Sequence, residues 1–421
     1  MRRIWTGMIC LSILLSPVAA RAQSENTIYS FTSGACCANY PQTALLFMGT
    51  KLYGTTLDGG SNPVDQGRLG TVYSLTIPAA GQQPRRNVLH SFPSFAGDGA
   101  DPLGRLIGDK HHNLYGTTQS GGAHNFGTVF KMVIGKTSWT ETPIYSFNPC
   151  LNACPDGDGA TPWDGLVMDA GGALYGATEH GGNGTNCGVI FKLSPPPAGQ
   201  TAWAETVIYR FSSTDGCQPH GDLFLGSNGA LYGTTLYGGA HFVGTVFKLA
   251  PPTGGQTPWT WHDLHDFDGS DGSTPSPLIG APGNFFGTAQ AGGQTPGGCC
   301  GVVFNLSQLV PGSYTLTLLH AFEGGTDGGQ PMGALFKDAS GTMWGTASYG
   351  SAANLGTIFK LAPDQVFANV WHYSQAYGFQ GASLDGDTPQ SAIIADPNGA
   401  LYGTTYYGGL SNAGAVFQYV P

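Results

Sequence analysis

The residues best suited to chemistry lie in three short runs, Leu103-Gly104-Arg105, Trp163-Asp164-Gly165 and His220-Gly221-Asp222, each directly after a proline. Glu179-His180 and Tyr237 follow further along the second and third of these segments. Asp164 and Asp222 suit an acid/base pair for glycoside hydrolysis, one carboxyl protonating the leaving oxygen while the other acts on the opposite side of the sugar. His220, with Arg105 and a tyrosine, suits β-elimination on a uronic acid. For binding without turnover, Trp163 offers an apolar face to a sugar ring and the aspartates accept hydroxyl hydrogen bonds. An ion pair of Arg105 with Asp164 is expected to lower the Asp164 pKa. The competing reading is a set of solvated loop residues, or salt bridges tying neighbouring repeats together.

Cysteines are the other reactive group. Cys10 sits in an apolar leader, too early for lipidation, and eight cysteines follow it. An even number in an exported chain points to disulfides. Cys187–Cys217 is the first expectation and Cys150–Cys154 the second; Cys36/Cys37 and Cys299/Cys300 stay open between vicinal bridges, other partners and free thiols. No C-x-x-C pair is present, so zinc is a poor alternative. No metal or cofactor is expected, and no nucleophile elbow, phosphate loop or dinucleotide fingerprint occurs. His111-His112 reads as a surface turn. His90, His265 and His320 recur at one position where other repeats have Tyr29 or Tyr145, which reads as packing, as do Trp139, Trp203 and Trp259.

For these runs to meet, the chain must bring distant segments to one place, and its repeats do that. Leu231-Tyr232-Gly233-Thr234-Thr235, then Gly238-Gly239, then Gly244 to Leu249 recurs seven times. The box glycines Gly54, Gly116, Gly176, Gly233, Gly287, Gly345 and Gly403 stand 54 to 62 residues apart, a period typical of repeat arrays. Each repeat holds four runs of about five residues, rich in Val, Ile, Phe, Tyr and Thr and bounded by turn formers, which read as strands. Asn228-Gly229, Gly171-Gly172 and Asn398-Gly399 are hairpin signals. No long run has a helical period. Four antiparallel strands in each of seven units predict an all-β, seven-bladed β-propeller.

The ends of the chain are out of phase by one strand. Thr27 to Phe31 matches the fourth strand of other repeats, whereas Ala415 to Tyr419 is a third strand. Pairing the two closes a ring and hides an edge, which an open solenoid would not need. The blades are expected at about 41–92, 102–147, 162–211, 219–267, 275–322, 331–379, and 389–421 completed by 26–31, forming one domain over 23–421. Because strands alternate in direction, the loop between strands two and three and the connection between blades share one face. The candidate runs and the eight later cysteines map to that face, at the mouth of the central channel.

Between blades lies Asp-Gly-x-x-Pro, at Asp98, Asp158, Asp215, Asp271, Asp327 and Asp385, with Cys37 to Pro41 in its place in the first repeat. It reads as a turn in which Asp accepts local N–H bonds, Gly takes a positive φ and Pro starts the strand. A ring of calcium sites is the sharper alternative, disfavoured because each loop offers one or two carboxylates where calcium takes six to eight oxygens.

Residues 1–22 read as a secretory signal peptide: Arg2 and Arg3, the apolar run Ile4 to Leu15, and Ala20-Arg21-Ala22 before Gln23. The run is too short to span a bilayer. Export to the periplasm or outside the cell, with cleavage near Ala22, is expected. Net charge is −10 with no basic stripe, which argues against nucleic acid as a partner. The 67 glycines fall at turns, and the 41% hydrophobic residues supply a core.

Together, Tyr-Gly-Thr-Thr, Gly-Gly, Gly-Thr-Val-Phe-Lys-Leu and Asp-Gly-x-x-Pro resemble the GloVer (Gloeo/Verruco) tandem-repeat family of exported bacterial proteins, over nearly all of residues 23–421. The resemblance implies a propeller-like repeat fold and export, and carries no catalytic residues. Some members end in sorting anchors; none is expected after the last strand here.

The functional expectation is a binding module for a glycan or another cell-envelope component, contacted through the loop face. Its candidate ligand residues are Arg105, Trp163, Asp164, Glu179, His180, His220, Asp222 and Tyr237. A glycoside hydrolase or polysaccharide lyase, with Asp164, Asp222 and His220 as catalytic candidates, is one alternative. A scaffold for a protein partner is the other.

Overall fold

The computed structural model describes residues 24–421 apart from 33–38, 61–68, 78–83, 94–96, 136–137, 149–156, 183, 253–257, 294–298, 368 and 382–384. Seven antiparallel sheets of four strands form a seven-bladed β-propeller. Blade 4 is representative: Cys217–Leu225 is innermost, followed outward by Leu231–Tyr237, Thr245–Ala250 and Thr260–Asp266. The described residues contain no α-helix, only a 3-10 turn at Gly325–Asp327. No helix among them is long and apolar enough to cross a membrane.

The repeated boxes have a packing cause. Gly233 pairs with Phe247 across the two middle strands, and a Cβ at Gly233 would come within 2.6 Å of that ring. The glycine leaves room for an aromatic side chain that is fully buried at every blade: Tyr73, Phe130, Phe191, Phe247, Phe304, Phe359 and Phe417. The tyrosine beside it packs sideways, Tyr53 against Trp139, Tyr115 against Trp203 and Tyr175 against Trp259, each pair bridging adjacent blades. The core therefore lies between blades, as in the cluster joining Tyr53 and Val72 of blade 1 to Leu106, Leu114 and Phe130 of blade 2. Each threonine after the glycine is buried and spent on hydrogen bonds: Thr235 Oγ1 lies 3.0 Å from Thr245 Oγ1, and Thr234 Oγ1 donates to the His220 carbonyl.

The Asp-Gly-x-x-Pro loop locks each blade to the one before it. The loop glycine takes the expected positive φ in three blades, at Gly216, Gly272 and Gly328, and in every blade the residue directly before the proline is left-handed: Tyr40, Asp101, Thr161, Gln218, Thr274, Gln330 and Thr388 all have φ between 50° and 57°. That turn aims their N–H groups at the preceding blade, where each donates to the residue before the third-strand glycine, as Thr274 does to Val243 at 2.9 Å. The next residue, Pro275, then lies so close that a Cβ at Gly244 would be 2.6 Å from its Cδ. Glycine and proline in separate boxes are thus one contact. The loop aspartates behave as the turn reading expects: Asp215 Oδ1 accepts the Ser212 N–H and Asp271 Oδ1 the Asp268 N–H. They also meet the outer strand. His90, His265 and His320 place Nε2 within 2.7 to 3.1 Å of Asp98, Asp271 and Asp327, and the Tyr209 and Tyr377 hydroxyls donate to Asp215 and Asp385 at 2.6 and 2.5 Å. The His/Tyr equivalence is a hydrogen-bonding one as well as packing.

The ring closes as the strand phase predicts. Ser24–Ser30 pairs antiparallel with Ala415–Val420, Ser24 opposite Val420 and Ser30 opposite Ala415. The locking bond recurs across this seam, from Tyr40 N–H to the Ala413 carbonyl at 2.9 Å. Cys187 and Cys217 are disulfide-bonded between blades 3 and 4, and Cys299–Cys300 is a vicinal bridge. Cys36, Cys37, Cys150, Cys154 and the 1–22 segment lie outside the described residues.

Candidate functional site

The innermost strand is broken in most blades just after the loop proline. In blade 2 it runs as Gly99–Ala100 and Ile107–Gly108, in blade 3 as Gly159–Ala160 and Val167–Met168. In blade 4 it is continuous but irregular between His220 and Phe224. The three candidate runs occupy these breaks. They line the channel mouth, a chamber of about 680 Å³ to which all seven blades contribute, with His220 still paired opposite Thr234. Arg105, Trp163, Asp164, Glu179, His220, Asp222 and Tyr237 line it, with Tyr237 half exposed at the rim. His180 does not; its Nδ1 lies 2.8 Å from Thr161 Oγ1, one step outward.

Arg105 pairs with Asp222, not with Asp164. Arg105 Nε is 2.7 Å from Asp222 Oδ2, an ion pair rather than an aligned hydrogen bond, since the N–H does not point along the contact. The other oxygen of Asp222 accepts the Gly165 N–H at 2.9 Å. The backbone reason is local: Gly165 lies against both Arg105 and Asp222, and a Cβ there would reach Asp222 Oδ1 at 2.4 Å. Arg105 and Asp222 also border a second chamber of about 610 Å³ further down the channel, walled by Ile107, Val167, Phe224, Ile279, Phe336 and Ile394. The pair stands at the waist between a polar mouth and an apolar interior.

Asp164 instead shares its surroundings with His220 and Glu179. His220 Nδ1 lies 3.9 Å from Asp164 Oδ1 and 3.5 Å from Glu179 Oε1, and the Trp163 ring is 6.4 Å from the imidazole. Asp164 is 9% exposed, and its Oδ2 has no hydrogen-bond partner among the described residues. Burial pushes its carboxyl up to about 6, with His220 and the Gly221 backbone N–H pulling back and Asp222 and Glu179 adding to the rise. The expected lowering by Arg105 does not occur, because the guanidinium is committed elsewhere. Burial alone would lower the His220 pKa, but Asp164, Glu179 and Asp222 outweigh it and raise it. A carboxyl and an imidazole with shifted affinities thus face one another at 3.9 Å, too far apart for a direct hydrogen bond.

Sequence reasoning passed over Gln42, Gln290, Gln390 and Tyr406, which complete the mouth. A signal was available. Leu236, Glu179, Gln290 and Tyr406 all directly follow the Tyr-Gly-Thr-Thr box or its variant, and that one column supplies a ring of mouth residues. Tyr406 stacks on Tyr40 at 4.9 Å, continuing the aromatic rim on the side opposite Trp163.

Residues 300–421 match the Gloeobacter/Verrucomicrobia repeat. The matched stretch begins at the third strand of blade 5 and includes the boxes around Gly345 and Gly403. Similar boxes recur in blades 1 to 4, outside the matched residues. No curated protein matches the chain. Among solved structures, the periplasmic gluconolactonase of Pseudomonas aeruginosa is similar at TM-score 0.54 and 14% identity, over 88% of this chain and 99% of that one. A candidate 6-phosphogluconolactonase of Bacteroides uniformis gives 0.53 and 13%, over 88% and 100%. At such identities the likeness is one of fold.

Proposed function

We propose that this is an exported propeller that binds a glycan at the channel mouth. The observation carrying the proposal is the mouth's composition: Trp163 stands beside a nearly buried carboxyl, Asp164, whose Oδ2 lacks a partner, in a chamber large enough for a few sugar rings. An aromatic face with a few convergent polar groups is how sugar sites are built. Amides from Gln42, Gln290 and Gln390 add donors and acceptors around the wall. The Cys187–Cys217 bridge supports export, since disulfides persist in oxidising compartments.

One observation favours a second reading, a glycan hydrolase. Asp164, held near 6 beside His220, is suited to give a proton to a leaving oxygen while water adds to the sugar carbon. Asp222 is then the weaker partner, because both its oxygens already face protein donors.

A glycan-array screen of the mature protein, with a reducing-sugar assay on every hit, tests both. The binding reading expects an array hit, no release of reducing ends, and at least a tenfold loss of affinity in Trp163→Ala, since aromatic anchors tend to dominate. Release of reducing ends that Asp164→Asn abolishes while binding persists establishes the hydrolase instead. No array hit overturns both and leaves the protein-contact scaffold.

A further inference from the structure

We propose that the glycan carries a protonated amine, as in an amino sugar whose nitrogen is not acylated, and that Asp164 and Glu179 receive it. This rests on the glycan reading above and specifies its ligand.

Three carboxylates line the mouth, Asp164, Glu179 and Asp222, while Arg105 is the one guanidinium or ammonium among the described residues there. Arg105 is spent on Asp222 at 2.7 Å. That leaves Asp164 and Glu179 with two imidazoles and no fixed cation: His220 Nδ1 lies 3.9 and 3.5 Å from them, and His180 Nδ1 lies 4.0 Å from the other oxygen of Glu179. Unless both imidazoles are protonated, at least one negative charge is left unmatched.

Burial turns that excess into a specific demand. A charge held away from water is costly unless paired and hydrogen-bonded. Asp164 is nearly buried, and its Oδ2 accepts nothing from the protein. Hydroxyl groups would satisfy the lone pairs without supplying charge. An ammonium does both: it has three N–H donors and a full positive charge. Trp163 beside it supplies the ring face that attracts a cation, and its apolar surface takes the sugar's C–H face.

The same arrangement disfavours acidic sugars. A uronate would have to face Asp164 and Glu179, and the guanidinium that could receive its carboxylate is already held by Asp222. The chain's net charge of −10 adds a long-range field of the same sign, which draws cationic ligands and repels anionic ones. The mouth is therefore set against the uronic-acid substrate that His220 and Arg105 suggested from sequence.

Isothermal titration calorimetry on the mature, disulfide-intact protein near pH 6.5 tests the proposal with three oligosaccharides of equal length: a β-1,4-glucosamine oligomer, its fully N-acetylated counterpart, and a galacturonate oligomer. The glucosamine oligomer is expected to bind at least tenfold tighter than the acetylated one, with the galacturonate weakest. In Asp164→Asn or Glu179→Gln the ratio of the two affinities should shrink to near unity. Equal or tighter binding of the acetylated or galacturonate oligomer overturns the amine inference and leaves glycan binding intact. Failure of all three to bind also overturns it, and the array screen then decides the glycan reading separately. Because the three ligands are compared on the unaltered protein, a variant that folds poorly does not blunt the test.

Discussion

Arg105 and Asp222 join three blades: the guanidinium comes from blade 2, the carboxylate from blade 4, and the carboxylate's other oxygen takes the Gly165 N–H of the blade between them. The pair sits where the channel narrows. Asp222→Ala should destabilise the protein by about 1–3 kcal/mol, because it leaves a guanidinium and a backbone N–H without their acceptor. Asp222→Asn should cost less, since its amide oxygen can still accept from Gly165. Urea unfolding midpoints of the two variants check this ordering.

The Cys187–Cys217 bridge closes a loop of 30 residues across the blade 3–4 seam, beside the Gln218 N–H to Cys187 carbonyl bond. In the chain-entropy model a loop of that length contributes roughly 3–4 kcal/mol. Replacing both cysteines with serine should lower the melting temperature clearly, and peptide mapping of the non-reduced protein should recover the linked peptides. Recovery of both thiols in alkylated form would remove the bridge.

Ring closure makes the first strand a structural necessity. Removing residues 24–31 would strip the outer edge from Ala415–Val420 and take away Ile28 and Phe31, both buried in the blade 7–1 core. The truncated protein should lose several kcal/mol, in the range of large core deletions, and associate through the bared edge. Light scattering and thermal melts of the truncation read both effects; an unchanged melting temperature in a monomer would contradict closure.

The locking contact between blades predicts that Gly244→Ala is severe. Gly244 has φ +107°, and a Cβ would lie 2.4 Å from the Thr235 carbonyl and 2.6 Å from Pro275. A loss of about 2 kcal/mol or more is expected from backbone strain alone. Gly229→Ala, in a turn with nothing closer than 3.7 Å, should cost less. Chemical denaturation of the two variants side by side isolates the seam.

Three outer-strand glutamates give the fold a pH dependence. Glu25, Glu141 and Glu205 are raised to about 7, 8 and 7, first by burial and then by Asp385, Asp98 and Asp158 respectively. Each carboxyl is more readily protonated folded than unfolded, so its contribution is full below the unfolded pKa and fades as pH rises through the folded value. These three groups should therefore cost stability between about pH 4.5 and 8. Glu141→Gln should flatten that decline, raising the melting temperature at pH 8 relative to the parent while changing little at pH 4.5. Melts across that range check it.

The repeat array dictated the propeller, because each box carries its own packing reason: Gly233 faces the Phe247 ring, Gly244 faces Pro275, and the one-strand offset of the ends has a single use. Local rules of this kind repeat seven times in the chain and so are legible without coordinates. The candidate site was legible as a set of residues, since Arg105, Asp164 and Asp222 break a pattern that other blades keep. Their partnering was not. Arg105 and Asp164 are near neighbours in blade order, yet the break in the innermost strand turns Gly165 toward Asp222 and carries the guanidinium with it. Asp164 is left beside His220 and Glu179, and its raised pKa follows from burial that no spacing in the sequence encodes. The left-handed residue before each proline was likewise hidden, because its conformation is set by a carbonyl in the preceding blade. What depends on one segment or on its repetition could be read along the chain; what depends on which carboxylate reaches which cation across a channel was decided only when seven blades met.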